Sequence, residues 1–481
     1  MKIALCTHQL PRDEPGGVGA FTVNLAAELA CAGHEVTLIA GSSLRPRAPA
    51  PDANVLDRQG SCWIEEAESC SPGVRTLRLL RASTSHTALG RFVDSFTHRH
   101  AEAVLLRALR QTAPDVLHVQ HTLNLSARLS SIGKAAGCAV VATVHDFWPI
   151  CQRIDLRRPD GRPCPGPAGG LRCAACLPST RAARTLNLWD GWQQLRRRGE
   201  HLAELGLRAA PYLLRTQLVQ GGYALADRVT CPAPFVAELL QQAGFDGDRI
   251  AVVDYGIPPL SLEVLRQPRP RTPLRFGFLG TLGAHKGPWV MLHAAQILAE
   301  ESDHRFRLAI HGGPLRDSLL RERLHDLAER SAGRVEYRGP YPTKRLPEIL
   351  AGIDVLVIPS LWRETGPMVW MEAIAAGLPV VASCIGALAG RVRDGEDGLL
   401  VPPGDAAALA GAMGQSITRY DELRRGAMGR GVRSVSQAAG ELLLVYREAI
   451  AVHRGGRAEQ TVEVARAARG PRPTWSMFGK R

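Results

Sequence analysis

The chain has 481 residues, 45% apolar and 22% charged, a globular composition too long for one ordinary core, so two domains are expected and wholesale disorder is excluded. Fifty-nine Lys and Arg against 46 Asp and Glu leave a net charge of +13, which suits an anionic partner: phosphorylated ligands, an acidic membrane face or nucleic acid. The first apolar run, "IALC", is too short for a signal peptide, and no stretch approaches the roughly 18 uninterrupted apolar residues of a membrane-spanning helix. A cytoplasmic protein is expected, with peripheral attachment at the inner face of a membrane left open, and the eleven cysteines then read as thiols or metal ligands before disulfides.

In chain order, "KIALCTH" is a short apolar run followed by the glycine-bearing loop "EPGGVG". In "AFTVNLAAELACAGH", Phe21, Leu25, Ala26 and Leu29 recur at helical spacing before Gly33 stops the helix, and "EVTLIAG" is the next strand. This is the opening of a parallel doubly wound sheet. "DVLHVQH" and "AVVATVH" have the near-continuous apolar texture of strands buried on both faces, and "DRVTCPA" and "RIAVVDYG" supply two more. The proline-rich segment 256–273 lacks a period and reads as a linker.

After it the rhythm restarts. "LRFGFLG" is a strand, "HKGPWVMLHAAQILAEE" a helix, and "FRLAIHGG" and "VEYRGPY" are strands. "LPEILAGIDVLVIPS" is a helix running into a strand, "GPMVWMEAIAAG" a helix and "PVVAS" a strand. The expected architecture is α/β with two Rossmann-like doubly wound domains facing a cleft: 1–255, carrying an insertion at 148–222, and 274–435. An amphipathic helix within 436–453 follows, and 454–481, with seven basic and two acidic residues, reads as a disordered tail.

The chemistry concentrates in "ETGPMVWMEAIAAG". Pro367 suits the first turn of a helix and Gly377 its end, which places Glu364 just before the helix and Glu372 about one and a half turns in. Free N–H groups near Thr365 and Gly366, with the positive end of the helix dipole, suit phosphate oxygens. Carboxylates repel phosphate but accept hydrogen bonds from hydroxyls, so a ligand with a central diphosphate flanked by sugars satisfies both demands. Taken alone, the two glutamates also fit a near-cap acid and a solvated helix face.

With "AGLPVVAS" after it and "FGFLGTLGAHKG" opening the second half, the pattern resembles the large retaining GT-B glycosyltransferase family, also called group 1 or glycogen-synthase-like, over roughly residues 1 to 435. The resemblance implies a GT-B fold and retaining transfer of a sugar from a nucleoside-diphosphate sugar to an acceptor hydroxyl, the acceptor being a glycan or lipid-linked sugar. It implies that Glu364 faces donor-sugar hydroxyls, Glu372 the ribose and Lys286 the diphosphate. Gly16 and Gly17 would form the amino-terminal glycine loop, and His145 of "VHDFW" would reach the sugar. Gly280, Thr281, Thr365, Gly366, Pro367 and Met368 would complete the donor site, and the last helix would cross back to the first domain. No catalytic metal and no nucleic acid are expected. Thr281 departs from the pattern, standing where the family usually has Arg, which leaves Lys286 as the main cation for the diphosphate.

The insertion "HDFWPICQRIDLRRPDGRPCPGPAGGLRCAACLPS" places Cys151, Cys164, Cys173 and Cys176 in a Pro/Gly-rich loop, a spacing that fits a tetrahedral structural zinc site or four reduced thiols. Residues 151–222 hold twelve Arg against five acids, an acceptor-side or membrane-facing surface or a solvated helix pair. Two other classes stay open. A non-catalytic GT-B scaffold is motivated by Thr281, and a dinucleotide oxidoreductase by the paired Rossmann-like halves, although "EPGGVG" lacks the G-x-G-x-x-G fingerprint.

Overall fold

The computed structural model describes residues 1–13, 16–42, 49, 53–81, 88–176, 202–260, 273–301, 306–313, 318–331 and 333–468. The first sheet comprises β1 (Lys2–Thr7), β2 (Glu35–Gly41), β3 (Val55–Gln59), β4 (Cys62–Glu66), β5 (Val74–Arg81), β6 (Val116–Val119), β7 (Ala139–Thr143), β8 (Arg228–Cys231) and β9 (Ile250–Val252). Their order is β3-β4-β5-β2-β1-β6-β7-β8-β9, parallel except for the antiparallel β3–β4 and β4–β5 pairs. The central strands β6 and β7 are buried along their whole length, as residues covered on both faces must be.

The second sheet comprises β10 (Leu274–Leu279), β11 (Phe306–His311), β12 (Val335–Gly339), β13 (Val355–Ile358), β14 (Val380–Ser383) and β15 (Gly398–Val401), all parallel in the order β12-β11-β10-β13-β14-β15. β3 to β5 and β15 were not expected from the sequence. β3 alternates between half-buried and exposed residues, so no long apolar run marks this antiparallel edge.

The chain crosses between the halves twice, side by side. Ile257 N–H donates to the Arg433 carbonyl at 3.1 Å, and Val435 N–H donates to the Ile257 carbonyl at 3.0 Å. A Cβ on Gly256 would stand 2.0 Å from the Ser434 oxygen, so glycine permits the close approach. Of the expected linker, 261–272 lies outside the described residues.

The last helix spans Val435–Ala468 and passes the point where a disordered tail was expected to begin. After Gly455 and Gly456 the segment to Ala468 holds four Ala, two Arg and two Glu, and adding turns of such residues to an established helix costs little. Residues 469–481 lie outside the described set. The helix lies on the first sheet: Ala439, Leu442, Val445, Tyr446 and Ala449 share a core with Leu25, Leu29 and Val141. Tyr446 Oη lies 2.6 Å from His118 Nδ1, and Arg228 pairs with Glu448 at 3.1 Å. Among the described residues, no helix is long and apolar enough to cross a membrane.

Candidate active site

Two helix amino-termini meet across the cleft. The Gly17–Cys31 helix begins after Gly16 with no side-chain cap and no acid in its first turn. A Cβ on Gly17 would lie 3.9 Å from the Met368 sulfur. Met368 opens the second helix, Met368–Ala375, which also lacks a side-chain cap and a first-turn acid. Pro367 stands one place before the helix rather than inside its first turn as expected, because its backbone is still extended there. Both ends therefore present unsatisfied N–H groups and positive dipole ends to the same space.

Lys286 reaches this space from a tight turn after β10, just ahead of the Pro288–Glu301 helix. The turn closes at Gly287 with φ 71°, and a Cβ there would fall 1.9 Å from the Pro359 oxygen, so only glycine fits. Lys286 Nζ is 2.8 Å from Glu364 Oε1 and 5.1 Å from the centre of the Trp362 ring. Ser360 Oγ donates to the same carboxylate oxygen at 2.6 Å. Burial alone would raise the Glu364 pKa, but Lys286, Ser360 and Trp362 outweigh it and hold the carboxyl below its ordinary value. Glu364 is thus an ionised, almost fully buried carboxylate paired with the cation expected at the diphosphate.

Glu372 is its opposite. Among the described residues its carboxyl has no hydrogen-bond or ion-pair partner, and burial pushes its pKa up from 4.5 to about 7. Burial first, and the nearby Glu372 after it, raise the pKa of the Tyr341 phenol. A half-buried carboxyl without protein donors among the described residues is suited to a ligand that supplies them, such as a vicinal diol.

His145 is held by protein. Its Nε2 is 2.6 Å from Gln120 Oε1 and its Nδ1 is 2.6 Å from Tyr255 Oη, so the ring donates to the amide oxygen and accepts from the phenol. Burial first, and the neighbouring histidines after it, keep the ring neutral far below its ordinary pKa. Both nitrogens expected to reach a sugar are engaged inside the protein, and the His145 carbonyl accepts the Thr365 hydroxyl. A Cβ on Gly366 would lie 2.5 Å from the Tyr255 ring, so the Thr365–Gly366 segment is pressed against the first domain.

Beside His145, the Leu123 amide donates to His121 Nδ1 at 3.1 Å, which leaves the proton on Nε2, 3.4 Å from Asp146. Burial would raise the Asp146 pKa, but His121, the Trp148 amide and His8 outweigh it, and the group stays ionised. Gly280 sits at φ 141°, against Gly312 at φ 143°, where a Cβ would lie 1.6 Å from the Gly280 oxygen. Thr281 follows, and its side chain has no partner among the described residues.

The cysteines behave differently from the zinc expectation. Cys151 is buried and Cys164, Cys173 and Cys176 are half-buried, all as free thiols. Among the described residues no three His, Cys, Asp or Glu side chains are arranged to hold a metal ion, so the expected zinc site is not supported. Burial first, with neighbouring cysteines adding to it, pushes Cys173 up to about 12 and Cys176 up to about 11.

Of the residues sequence reasoning missed, Ser360 and Trp362 lie within four positions of Glu364, so "PSLWRE" held a local signal. Tyr255 and Gln120 had none, being brought to His145 from 110 and 25 positions away by the sheet order alone.

Two parallel α/β domains with opposed helix ends over a shared cleft define the GT-B class of architecture. Residues 15–259 match the model described as Glycosyltransferase Family 4, and 273–419 the model described as Glycosyl transferases group 1. The chain belongs to glycosyltransferase family 4.

It is similar to the D-inositol 3-phosphate glycosyltransferase of Nocardia farcinica, at 34% identity over 45% of this chain and 50% of that protein. The chain spans about half the length of this and similar curated relatives. Among solved structures, sucrose-phosphate synthase from Thermosynechococcus elongatus superposes with a TM-score of 0.58 at 18% identity, over 96% of this chain and 100% of that one. The catalytic domain of starch synthase IV from Arabidopsis thaliana, bound to ADP and acarbose, gives 0.60 at 15% identity over 94% and 99%. These two share the fold.

Proposed function

We propose that the protein transfers a sugar from a nucleoside-diphosphate sugar to an acceptor hydroxyl with retention of configuration, in the assembly of a cell-surface polysaccharide or glycolipid. The observation that carries this reading is the contrast between two carboxyls at one helix end: Glu364 ionised on Lys286, and Glu372 without donors of its own. Lys286 and the opposed helix ends stabilise charge on the departing diphosphate. Glu364 takes hydroxyls of the transferred sugar and Glu372 those of the ribose. Gly16 and Gly17 let backbone approach the phosphates, and Gly280, Thr281, Thr365, Gly366, Pro367 and Met368 complete the donor site in this reading.

His145 is a positioning residue for the sugar, exchanging one of its protein partners for a hydroxyl when donor binds. The phosphorylated acceptor in the name of the Nocardia relative favours an acceptor that bears phosphate. The protein works in the cytoplasm, at the inner membrane face where its acceptor is lipid-linked.

Thermal shift against UDP, GDP, ADP and TDP and their sugars tests the donor, since a ligand bound to the native state alone raises the melting point by mass action. Nuclear magnetic resonance of the product's anomeric proton tests retention. If no nucleotide raises the melting point, the alternative motivated by Thr281, a scaffold without catalysis, takes its place.

A further inference from the structure

A cavity of about 700 Å³ lies between the cysteine-bearing insertion of the first domain and the 361–363 segment of the second. Its first wall is a small hairpin. Arg158 N–H donates to the Arg162 carbonyl at 2.8 Å, Cys164 N–H to the Leu156 carbonyl at 2.7 Å, and Arg157 and Pro163 form an antiparallel bridge. The turn at Asp160–Gly161 has the chemistry of a tight reversal, with Gly161 at φ 82° and Asp160 Oδ1 capping the Arg162 amide at 2.9 Å.

The opposite wall is Leu361, Trp362 and Arg363. Trp362 connects the two sites, since the Lys286 ammonium stands 5.1 Å from the centre of its ring while the residue also lines the cavity. Arg363 is the residue immediately before Glu364.

The lining divides by chemistry. Leu156, Leu239, Leu361, Trp362 and Ile385 are apolar, and Arg157, Arg172 and Arg363 are cationic. The acid in the lining is Asp155, which is buried and committed: its Oδ1 accepts the Arg157 amide at 3.1 Å and lies 3.8 Å from Arg153 Nε. The Arg172 and Arg363 side chains are exposed and have no partner among the described residues. The field of Arg157 and Arg153 extends to His285, beside Lys286, and helps to lower its pKa after burial and Lys286 itself.

A cleft with surplus guanidinium groups and apolar walls selects a ligand with both an anionic head and an apolar body. We propose that this cavity is the subsite for an amphiphilic phosphoester acceptor: the arginines hold its phosphate, the apolar walls hold the adjoining hydrocarbon, and its hydroxyl is presented at the Glu364 side of Trp362. The proposal rests on the glycosyltransferase reading and supplies the acceptor class that reading leaves general. Because each wall comes from a different domain, the bound phosphoester also ties the two halves together.

Hexyl phosphate, hexanol and inorganic phosphate are the probes, titrated by calorimetry into the full chain, into the triple variant Arg157→Gln/Arg172→Gln/Arg363→Gln, and into the matching triple Lys variant. Hexyl phosphate is expected to bind the wild type about tenfold or more tightly than either other probe, to weaken about tenfold or more in the Gln variant, and to recover in the Lys variant. Arg363→Gln alone, at an exposed position, keeps the test readable if the triple variant fails to fold, with an expected loss of about threefold or more.

Unchanged hexyl phosphate binding in the Gln variants, equal binding of inorganic phosphate, or no binding overturns the proposal. Nucleotide-sugar binding is measured in parallel. Donors that bind where hexyl phosphate does not remove this subsite alone, whereas donors that fail to bind remove the glycosyltransferase reading.

Discussion

Replacing Glu372 by Gln separates what its carboxyl does for the fold from what it does for the ligand. The carboxyl has a folded pKa of about 7 against an ordinary 4.5. The folded state holds this proton more tightly than the unfolded one, so stability is full below pH 4.5 and falls as pH rises through the folded pKa. The whole shift corresponds to roughly 3 kcal/mol at most, or several degrees in melting temperature. Glu372→Gln should therefore gain stability relative to the wild type between pH 5 and pH 8, read as the difference between two melting curves across that range. The buried histidines titrate alike in both proteins and cancel in the difference.

A ribose diol would favour the ionised form, so the affinity of a nucleoside-diphosphate sugar should rise with pH through about 7 and be about 30-fold weaker at pH 5.5 than on the plateau above about pH 8. The diester phosphates of such a donor stay ionised throughout, and Glu372→Gln should flatten the dependence. Equal melting profiles for the two proteins, or a pH dependence of donor affinity that survives in Glu372→Gln, would refute the reasoning.

Lys286→Gln leaves the Glu364 carboxylate buried beside Ser360 without its cation, so it should cost about 1–3 kcal/mol in chemical denaturation and weaken donor binding at least about tenfold. Gly287→Ala combines a left-handed backbone with a Cβ driven into the Pro359 carbonyl, and should destabilise by about 2 kcal/mol or more while also displacing Lys286. Tyr255→Phe removes the hydroxyl at His145 Nδ1; an increase of one unit or more in the His145 pKa by nuclear magnetic resonance is not expected, since burial dominates, but about 1 kcal/mol of stability should be lost. His118 is kept neutral by burial down to about pH 3, so its share of stability is present above pH 6.5 and lost as pH falls from 6.5 towards about 3; His118→Gln should make acid unfolding between pH 6 and pH 4 less steep.

Most of the cleft was legible because it is built from local patterns. The strand, glycine loop and helix at residues 2–31 and the Glu364–Glu372 spacing each lie within one short segment, where periodicity and helix-end chemistry act. What escaped is non-local. His145 was readable as a strand-end histidine, but its capture by Gln120 and Tyr255 depends on sheet order, which periodicity does not encode. The zinc expectation is not supported for a related reason: cysteine spacing states which thiols share a loop, and among the described residues they are not arranged to hold a metal ion. Strands β3 to β5 were missed because charged residues interrupt their apolar positions, which leaves no continuous buried run or clean alternation to read.

The return of the Val435–Ala468 helix to the first sheet bears on how the protein is made. The apolar surface around Leu25, Leu29 and Val141 is completed by Leu442, Val445 and Tyr446, so the ribosome must deliver the whole second domain before the first can close its core. During that interval the nascent first domain carries an open hydrophobic face, a natural docking point for a holding chaperone. Once the helix has docked, the adjacent crossings at Ile257 and Ser434 act as a two-stranded strap, which favours bending about one axis over free swivelling. Vectorial synthesis and the direction of cleft closure are thus governed by the same few residues.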